Sequence, residues 1–339
     1  MTSSINRRRF ATLAGAGAIS AALPLRHAYA AEHTFKIGTN VPASHPLNVY
    51  LTKAAEQVKA ETNGKFEFQL FPNNQLGADS DMLSQLRSGA LECFLNSGVN
   101  VLSTIIPAAA ISGVGFAFKD YPALWSAMDG KLGAHLRQQI TRGGFVVMDK
   151  IWDNGFRMIT NSSKPIVQPD DLKNMKIRVP VSALWLSLFK SLGASPTGLN
   201  FAEVYSALQT KVVDGQENPP AIISAAKLFE VQKYCSVTNH MWDGWWFLIN
   251  RRSWGQIPAD IQETVTRVLN STCQAEREEV ARQNISLQKD LAASGMVFND
   301  VDPAPFREAL SKAGFYTEWR GKFGDEPWSL LEEAVGKLA

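Results

Sequence analysis

The chain has 339 residues, of which 45% are hydrophobic and 19% charged. That composition supports a sizeable buried core and excludes a disordered or collagen-like chain, and the length suits two domains. Lys and Arg number 34 against 32 Asp and Glu, but four of the arginines (Arg7, Arg8, Arg9 and Arg26) fall in an acid-free first 30 residues; the rest carries 30 against 32, or −2, so no global electrostatic case for nucleic acid remains.

Residues 1–30 read as an export signal. Arg7–Arg9 form a charged start, Phe10–Leu25 an uncharged apolar run, and Ala28-Tyr29-Ala30 a small-x-small cleavage site, which predicts a mature start near Ala31. The 16-residue run is short for a membrane span, which needs about 20. Asn6-Arg7-Arg8-Arg9-Phe10 also fits the twin-arginine pattern, with an ordinary secretory signal as the alternative.

The remainder alternates short β-branched or aromatic runs with amphipathic stretches. Strands are predicted at Thr34–Thr39, Phe66–Phe71, Glu92–Leu95 and Phe145–Ile151, with helices near Leu47–Glu61, Ser80–Ser88 and Leu132–Ile140. Such alternation with short connections predicts an α/β fold with helices on both faces of a sheet. A second set follows: strands at Phe156–Thr160, Met175–Val179, Ser195–Thr197 and Val212–Asp214, and helices at Val181–Leu192 and Phe201–Thr210. Val237–Asn239 and Trp245–Asn250 read as strands leading back to the first half. From Ala259 to Ser294 there are 36 residues without Gly or Pro. As one helix they would extend about 54 Å, more than one domain's width of roughly 30 Å. Such a helix either breaks, crosses both domains, or seeks a coiled-coil partner.

Cys93, Cys235 and Cys273 lie in apolar surroundings with no CxxC, and read as buried thiols. Gly15-Ala-Gly17 lacks a preceding strand, so it is no dinucleotide fingerprint, and Ser187-Leu-Phe-Lys190 lacks the companion motifs of a penicillin-binding enzyme. The five histidines are scattered without zinc spacing, so no metal and no cofactor is expected. Polar residues beside strand ends are what remain: Arg157 after Trp152–Phe156, Arg178 inside Ile177-Arg178-Val179, and Asn218 before Pro219. An Arg within an apolar strand is costly to bury unless it meets an anion, either a ligand or a structural carboxylate. In open α/β sheets ligands collect at the carboxyl ends of strands, where Arg178 and Asn218 fall.

The stretches Trp152–Arg157, Asp170–Pro180, Leu192–Pro196, Glu203–Thr210 and Val213–Pro219, with Asn74–Gly77 and Leu86–Ala90 upstream, resemble the solute receptors of tripartite ATP-independent periplasmic (TRAP) transporters, of the C4-dicarboxylate-binding type. The resemblance covers residues 34–330. It implies a two-lobed periplasmic-binding-protein architecture with a hinge and a long helix spanning both lobes. One lobe would comprise 31–154 plus 244–283, the other 155–243 plus 284–339. It further implies a monomeric periplasmic receptor that captures a small organic acid and delivers it to membrane permease subunits. A sensory receptor or an enzyme on the same fold are the competing readings, and the chain shows no nucleophile–base pair to support the enzyme.

Carried over residue by residue, the resemblance makes Arg178 the carboxylate clamp, Arg157 its support and Asn218 a polar ligand contact. Asn40 and Phe201 map onto further pocket positions. The chain departs from the pattern at Gly89–Glu92, Gly115–Phe118 and Pro220–Ile223, and in the indole-rich segment Met241–Trp246. Trp242 is therefore read as a pocket residue that favours a ring or a sugar over a C4-dicarboxylate, against the alternative that these tryptophans pack the lobe core.

Overall fold

A computed structural model describes residues 31–338; the export signal read on residues 1–30, and residue 339, lie outside the described residues. The first half runs β1 (His33–Gly38), α1 (Pro46–Glu61), β2 (Phe66–Phe71), α2 (Asp79–Ser88) and β3 (Cys93–Ser97). Two 3-10 turns follow, then α3 (Tyr121–Met128), α4 (Lys131–Arg142), β4 (Phe145–Val147) and β5 (Trp152–Phe156). The second half runs β6 (Met158–Asn161), β7 (Lys176–Val179), α5 (Ala183–Ser191), β8 (Ser195–Gly198), α6 (Val204–Gln209), β9 (Gly215–Asn218), α7 (Pro220–Ala225) and β10 (Tyr234–Val237). Then come β11 (Trp242–Asn250), α8 (Arg251–Trp254), α9 (Ala259–Ala293), β12 (Val297–Asp300), α10 (Pro303–Lys312), α11 (Phe315–Phe323) and α12 (Asp325–Val335).

Helix starts are encoded locally. His45 caps α1, with Pro46 in its first turn; Ser182 caps α5; Asp79 and Asp81 sit in the first turn of α2, where the helix dipole favours acids.

The strands form two six-stranded sheets. The first has the order β2-β1-β3-β11-β4, with β5 paired to β11. The second has the order β12-β10-β6-β9-β7-β8. In the first, β1 is parallel to β2 and β3, whereas β11 runs antiparallel to β3, β4 and β5. Every residue of β3 and β11 is buried, as expected of strands covered on both faces.

The predicted strand Phe156–Thr160 is two strands in different sheets. Phe156 pairs with Trp242 in the first sheet and Met158 with Asn218 in the second, so the chain changes sheets at Arg157. It returns between Val237 and Trp242, and the two crossings touch: the Arg157 amide donates to the Met241 carbonyl at 2.8 Å. No Gly, Pro or turn residue stands between Phe156 and Thr160, which is why sequence pattern does not separate the two strands. The predicted strand at Val212–Asp214 is a bend, and pairing starts at Gly215. Here the Asp214 carboxylate accepts from the Lys176 amide at 2.9 Å and its own amide donates to the Lys176 carbonyl, which sets the start of the β7–β9 ladder. Likewise β4 ends at Val147 rather than Ile151, and β10 occupies Tyr234–Val237 rather than Val237–Asn239.

The Gly- and Pro-free segment is one continuous helix, α9, of 35 residues. It packs on α1 and β5 of the first sheet and on α7 and β12 of the second region, so it spans both. The apolar stripe Ile261, Val265, Val268, Leu269 and Cys273 faces the core beside α1 and the first sheet. Leu291 joins a separate core with Val204, Leu208 and Ile223. The C-terminal helices, for which the sequence pattern made no prediction, close the molecule: α10 and α11 pack on α5, and α12 on α3 and α4. All three cysteines are buried and free.

Candidate functional site

The carboxyl ends of β7 and β9 bring Arg178 and Asn218 to one side of the second sheet, as strand polarity predicts. Opposite them stand Asn40 after β1, Ser97 at the end of β3, Asn154 on β5, and Asp243 and Trp245 on β11. Arg157 lies at the crossing between the sheets. With Trp185 from α5 and Phe201 ahead of α6, these residues line one narrow cavity. Arg178, Arg157, Asn218, Asn40 and Phe201 are thus all brought together.

Trp242 is placed elsewhere. Its indole Nε1 donates to Asp153 at 2.7 Å, and its ring meets Trp125 edge-on with centroids 5.5 Å apart. It packs into the core behind the cavity, not into its lining. Strand alternation explains this: Trp242 and Asp243 point to opposite faces of β11. A bulge between Asp243 and Gly244 then resets the register. A Cβ on Gly244 would stand 2.4 Å from the Trp242 ring, so only glycine leaves room for this indole. The aromatic residues that line the cavity are Trp185, Phe201 and Trp245.

Arg157 is buried and saturated by protein acceptors. Its Nε donates to Glu217 Oε2 at 2.5 Å and its Nη2 to Glu217 Oε1 at 2.8 Å. Nη2 also reaches the Glu217 carbonyl and Asn218 Oδ1, and Nη1 reaches Asp243 Oδ2 at 3.1 Å. Glu217 belongs to the second sheet and Asp243 to the first, so this one guanidinium ties the two sheets together. Burial opposes charge on Glu217, but the Arg157 charge and the His240 contact at 3.1 Å hold its carboxyl below the usual range. Burial pushes Asp243 up, with Arg157, Ser97 and Asn154 pulling the other way. Burial likewise lowers His240, against the opposing pull of Glu217.

Arg178 is the contrast. Nε and Nη2 both donate to the Leu199 carbonyl, at 3.0 and 2.6 Å, and no carboxylate pairs with it among the described residues. Burial without a paired anion lowers its pKa to about 10, even with Glu217 and Asp79 acting in its favour. Asp79 lies behind the lining, where its Oδ1 accepts from Asn40 Nδ2 at 2.8 Å, and burial raises its pKa. A buried guanidinium at a cavity wall, held by one carbonyl and with no carboxylate beside it, is chemically able to take an anion.

Two more polar atoms of the lining are buried without a partner: the indole N–H of Trp185 and Oδ1 of Asn154. One is a donor and the other an acceptor, so the cavity also suits hydroxyl groups. Ser97, Asn100 and Asn154 lie at or near strand ends, and the strand-end rule that found Arg178 could have found them. Trp185 gave no signal, since it reads as one apolar position of an amphipathic helix. Among the described residues no group of three or more His, Cys, Asp or Glu is placed to hold a metal ion, and no helix is long and apolar enough to cross a membrane.

This arrangement has counterparts. A family profile described as bacterial extracellular solute-binding protein, family 7, matches residues 37–316. The 2,3-diketo-L-gulonate-binding periplasmic protein of Escherichia coli is 30% identical over 83% of this chain and 85% of its own length. The sugar acid binding protein of Advenella mimigardefordensis, solved with galactonate, superposes with a TM-score of 0.85 at 28% identity, covering 90% of this chain and 98% of that one. A TRAP periplasmic solute binding protein of Sulfurospirillum deleyianum, solved with succinate, gives a TM-score of 0.84 at 28% identity, over 90% and 98%. A relative from Sinorhizobium fredii is 35% identical over 76% of this chain, which spans 48% of that relative's length.

Proposed function

This chain belongs to family 7 of the bacterial extracellular solute-binding proteins, the receptors of TRAP transporters, and on that premise we propose that it captures a hydroxylated monocarboxylic acid on Arg178 and hands it to a membrane permease. The family is one of binding receptors rather than enzymes, and its members work outside the cytoplasm. The observation that carries the choice of ligand is how the cavity's guanidinium groups are paired. Of its two guanidinium groups, Arg157 is matched by Glu217 and Asp243, and only Arg178 stands without a carboxylate. One guanidinium without a carboxylate partner suits one carboxylate. The remaining lining of Asn40, Ser97, Asn100 and Asn154 suits hydroxyls, and the Trp185 and Trp245 rings suit the face of a sugar. A sugar acid fits this better than a C4-dicarboxylate, whose second charge would meet no free cation. The relatives that bind diketogulonate and galactonate support the reading; the one with succinate keeps the alternative open to test.

Capture follows from geometry. The lobes are proposed to part about the crossings at Arg157 and Met241, with α9 as the third link. Arg178 sits on the second sheet and Asn40, Ser97 and Asn154 on the first, so a ligand touches both walls only when the cleft is closed, and it shifts the open–closed equilibrium by that difference. Closure also removes water from the ion pair and strengthens it. A charged hydrogen bond contributes about 1.5–3 kcal/mol, and a micromolar complex needs about 8 kcal/mol, so the anchor needs several neutral contacts beside it.

The test is a thermal-shift and calorimetry panel of galactonate, galacturonate, 2,3-diketogulonate, succinate and malate. A sugar acid is expected to give the largest shift. Binding of succinate or malate at least tenfold tighter than every sugar acid overturns the choice of ligand. Unchanged affinity in a folded Arg178→Ala variant overturns the anchor.

A further inference from the structure

Two acids stand in the first turn of α2, and they do different things. Asp81 is exposed and its Oδ2 accepts from the Ala78 amide at 3.0 Å, whereas Asp79 is fully buried. With the helix start served by Asp81, the Asp79 carboxylate is free to turn inward. There its Oδ1 accepts from Asn40 Nδ2 at 2.8 Å and its Oδ2 from the Phe201 amide at 3.5 Å, and the Asn100 side chain bonds the same carboxyl. Asn40, Asn100 and Phe201 all line the cavity, and Asp79 does not.

Asp243 repeats the arrangement. Its Oδ2 accepts from Asn154 Nδ2 at 3.0 Å and from Arg157, and its Oδ1 accepts from the Ser97 hydroxyl and the Gly244 amide. A carboxylate only accepts, so each asparagine must turn its NH2 end to the acid and keep its carbonyl oxygen for another partner. Asn154 Oδ1 is buried without one, and Asn40 Oδ1 receives no hydrogen bond among the described residues. The Ser97 hydroxyl gives its hydrogen to Asp243, which leaves its oxygen as an acceptor alone. Burial raises the pKa of both acids, and their neighbours act the other way: on Asp79 the Arg178 charge, the Phe201 amide and the two asparagine side chains, on Asp243 the Arg157 charge, Ser97 and Asn154. The Phe201 and Gly244 amides and the Arg157 guanidinium have hydrogens only to give, which suits acids that are ionised.

We propose that Asp79 and Asp243 set the specificity of the cavity: by holding the hydrogens of Asn40, Asn154 and Ser97 they leave these three side chains of the first-sheet wall as acceptors, so that the wall takes hydroxyl groups and turns away a second carboxylate. Both acids are positioning residues, acting through the side chains they hold. The donors belong to the opposite wall, Arg178 on β7 and the Trp185 N–H on α5. A bound acid therefore lies one way round, with its carboxylate on the side of the second sheet and its hydroxyls on the side of the first. The oxygens of a second carboxylate would meet oxygens on that wall and lose the hydrogen bonds they had in water. The inference rests on the ligand reading above and extends it: the pairing of the arginines says where one carboxylate goes, and the asparagines say what the rest of the ligand must offer.

The test is calorimetry with galactonate and succinate on wild type, Asp79→Asn, Asn40→Ala and the double variant, with thermal unfolding to check that each chain folds. An amide at position 79 gives hydrogens as well as accepting them, which frees Asn40 to turn. The galactonate-to-succinate affinity ratio is then expected to fall by about tenfold in Asp79→Asn. In the Asn40→Ala background the same substitution is expected to leave the ratio unchanged. An unchanged ratio in Asp79→Asn overturns the proposal. So does an equal fall in both backgrounds, which is the Coulomb effect of a lost negative charge, felt more by a dianion than by a monoanion. Should Asp79→Asn fail to fold, Ser97→Ala decides: loss of this acceptor is expected to weaken galactonate several-fold and to spare succinate, and equal losses overturn the proposal. A further readout needs no ligand. The side-chain NH2 of Asn40, identified in nuclear magnetic resonance by its absence in Asn40→Ala, is expected to exchange with solvent several-fold faster in Asp79→Asn than in wild type, and equal rates overturn the proposal. Succinate binding the tighter in wild type, or neither acid binding, counts against the ligand reading, while the change in ratio and the exchange rate still decide the polarity of the wall.

Discussion

Two buried arginines share one cavity and do opposite things. Arg157, at the crossing between the sheets, has Glu217 and Asp243 on its guanidinium, while Arg178, on β7, has only the Leu199 carbonyl. Both are almost fully removed from water, at 2% and 1% exposure, so burial does not separate them. What separates them is the anion. Where the fold supplies it, the arginine is a fastener between sheets; where the fold withholds it, the arginine is left open to an anion from outside, the role proposed for Arg178. A guanidinium keeps its charge even when burial disfavours it, so the second case stores a demand that a ligand meets.

The comparison breaks most sharply on stability. Arg157→Ala leaves Glu217 and Asp243 buried without their cation and is expected to cost about 3–5 kcal/mol in urea unfolding. Arg178→Ala removes a buried charge that no carboxylate pairs with directly, and the folded chain is expected to lose nothing in the same measurement, or to gain. Equal losses from the two would remove the distinction.

Binding inverts the order. Truncating one partner of a buried charged pair costs about 2–5 kcal/mol, so Arg178→Ala is expected to lower affinity for galactonate by that amount in calorimetry. Arg178→Lys keeps the charge but loses the planar fork, and should fall between wild type and Ala.

The acid limb of stability sharpens the picture further. Glu217 has a depressed folded pKa, so its contribution is present above the unfolded value of about 4.3 and is lost as pH falls through the folded one. Acid unfolding of Glu217→Gln should therefore be less steep than wild type below about pH 4, and Arg178→Ala should leave that limb nearly unchanged.

The smallest effect is expected at Trp185, a lining residue whose ring lies 4.9 Å from the Arg157 guanidinium while its N–H is buried without a partner. Trp185→Phe keeps a ring over Arg157 and removes the donor. Affinity should drop by about 0.5–1.5 kcal/mol, the worth of one hydrogen bond, with the unfolding midpoint barely moved.

Much of the fold was legible in sequence because its signals are local. Periodicity, caps and the absence of Gly and Pro mark β1, α1, β2, α2 and all 35 residues of α9, since a helix or strand is specified by its own few residues and the face it buries. Their places beside strand ends singled out Arg157, Arg178 and Asn218, the family resemblance gave them roles and added Asn40 and Phe201, and the structure puts all five on one cavity. Trp242 shows where such reading ends. An indole in a rich aromatic segment suits a pocket or a core equally well, and the choice turns on which face of β11 it occupies, set by pairing with β5 and by the bulge before Gly244. The boundary at Arg157 was hidden for a related reason, because the chain changes sheets there without a turn residue and changes only its partners.

The sequence alone determined which residues carry charge, which segments form strands and helices, and that arginines stand next to strand ends. Only the tertiary structure decided which of them is satisfied. Glu217 lies 60 positions from Arg157 and Asp243 lies 86 away, and both reach it because two strands cross between sheets at the same point. Arg178, 21 positions after Arg157, receives no such partner. Coulomb attraction in a dry interior decides between fastener and receptor within a few ångström, and distances of that order between remote residues belong to the fold and not to the order of the chain.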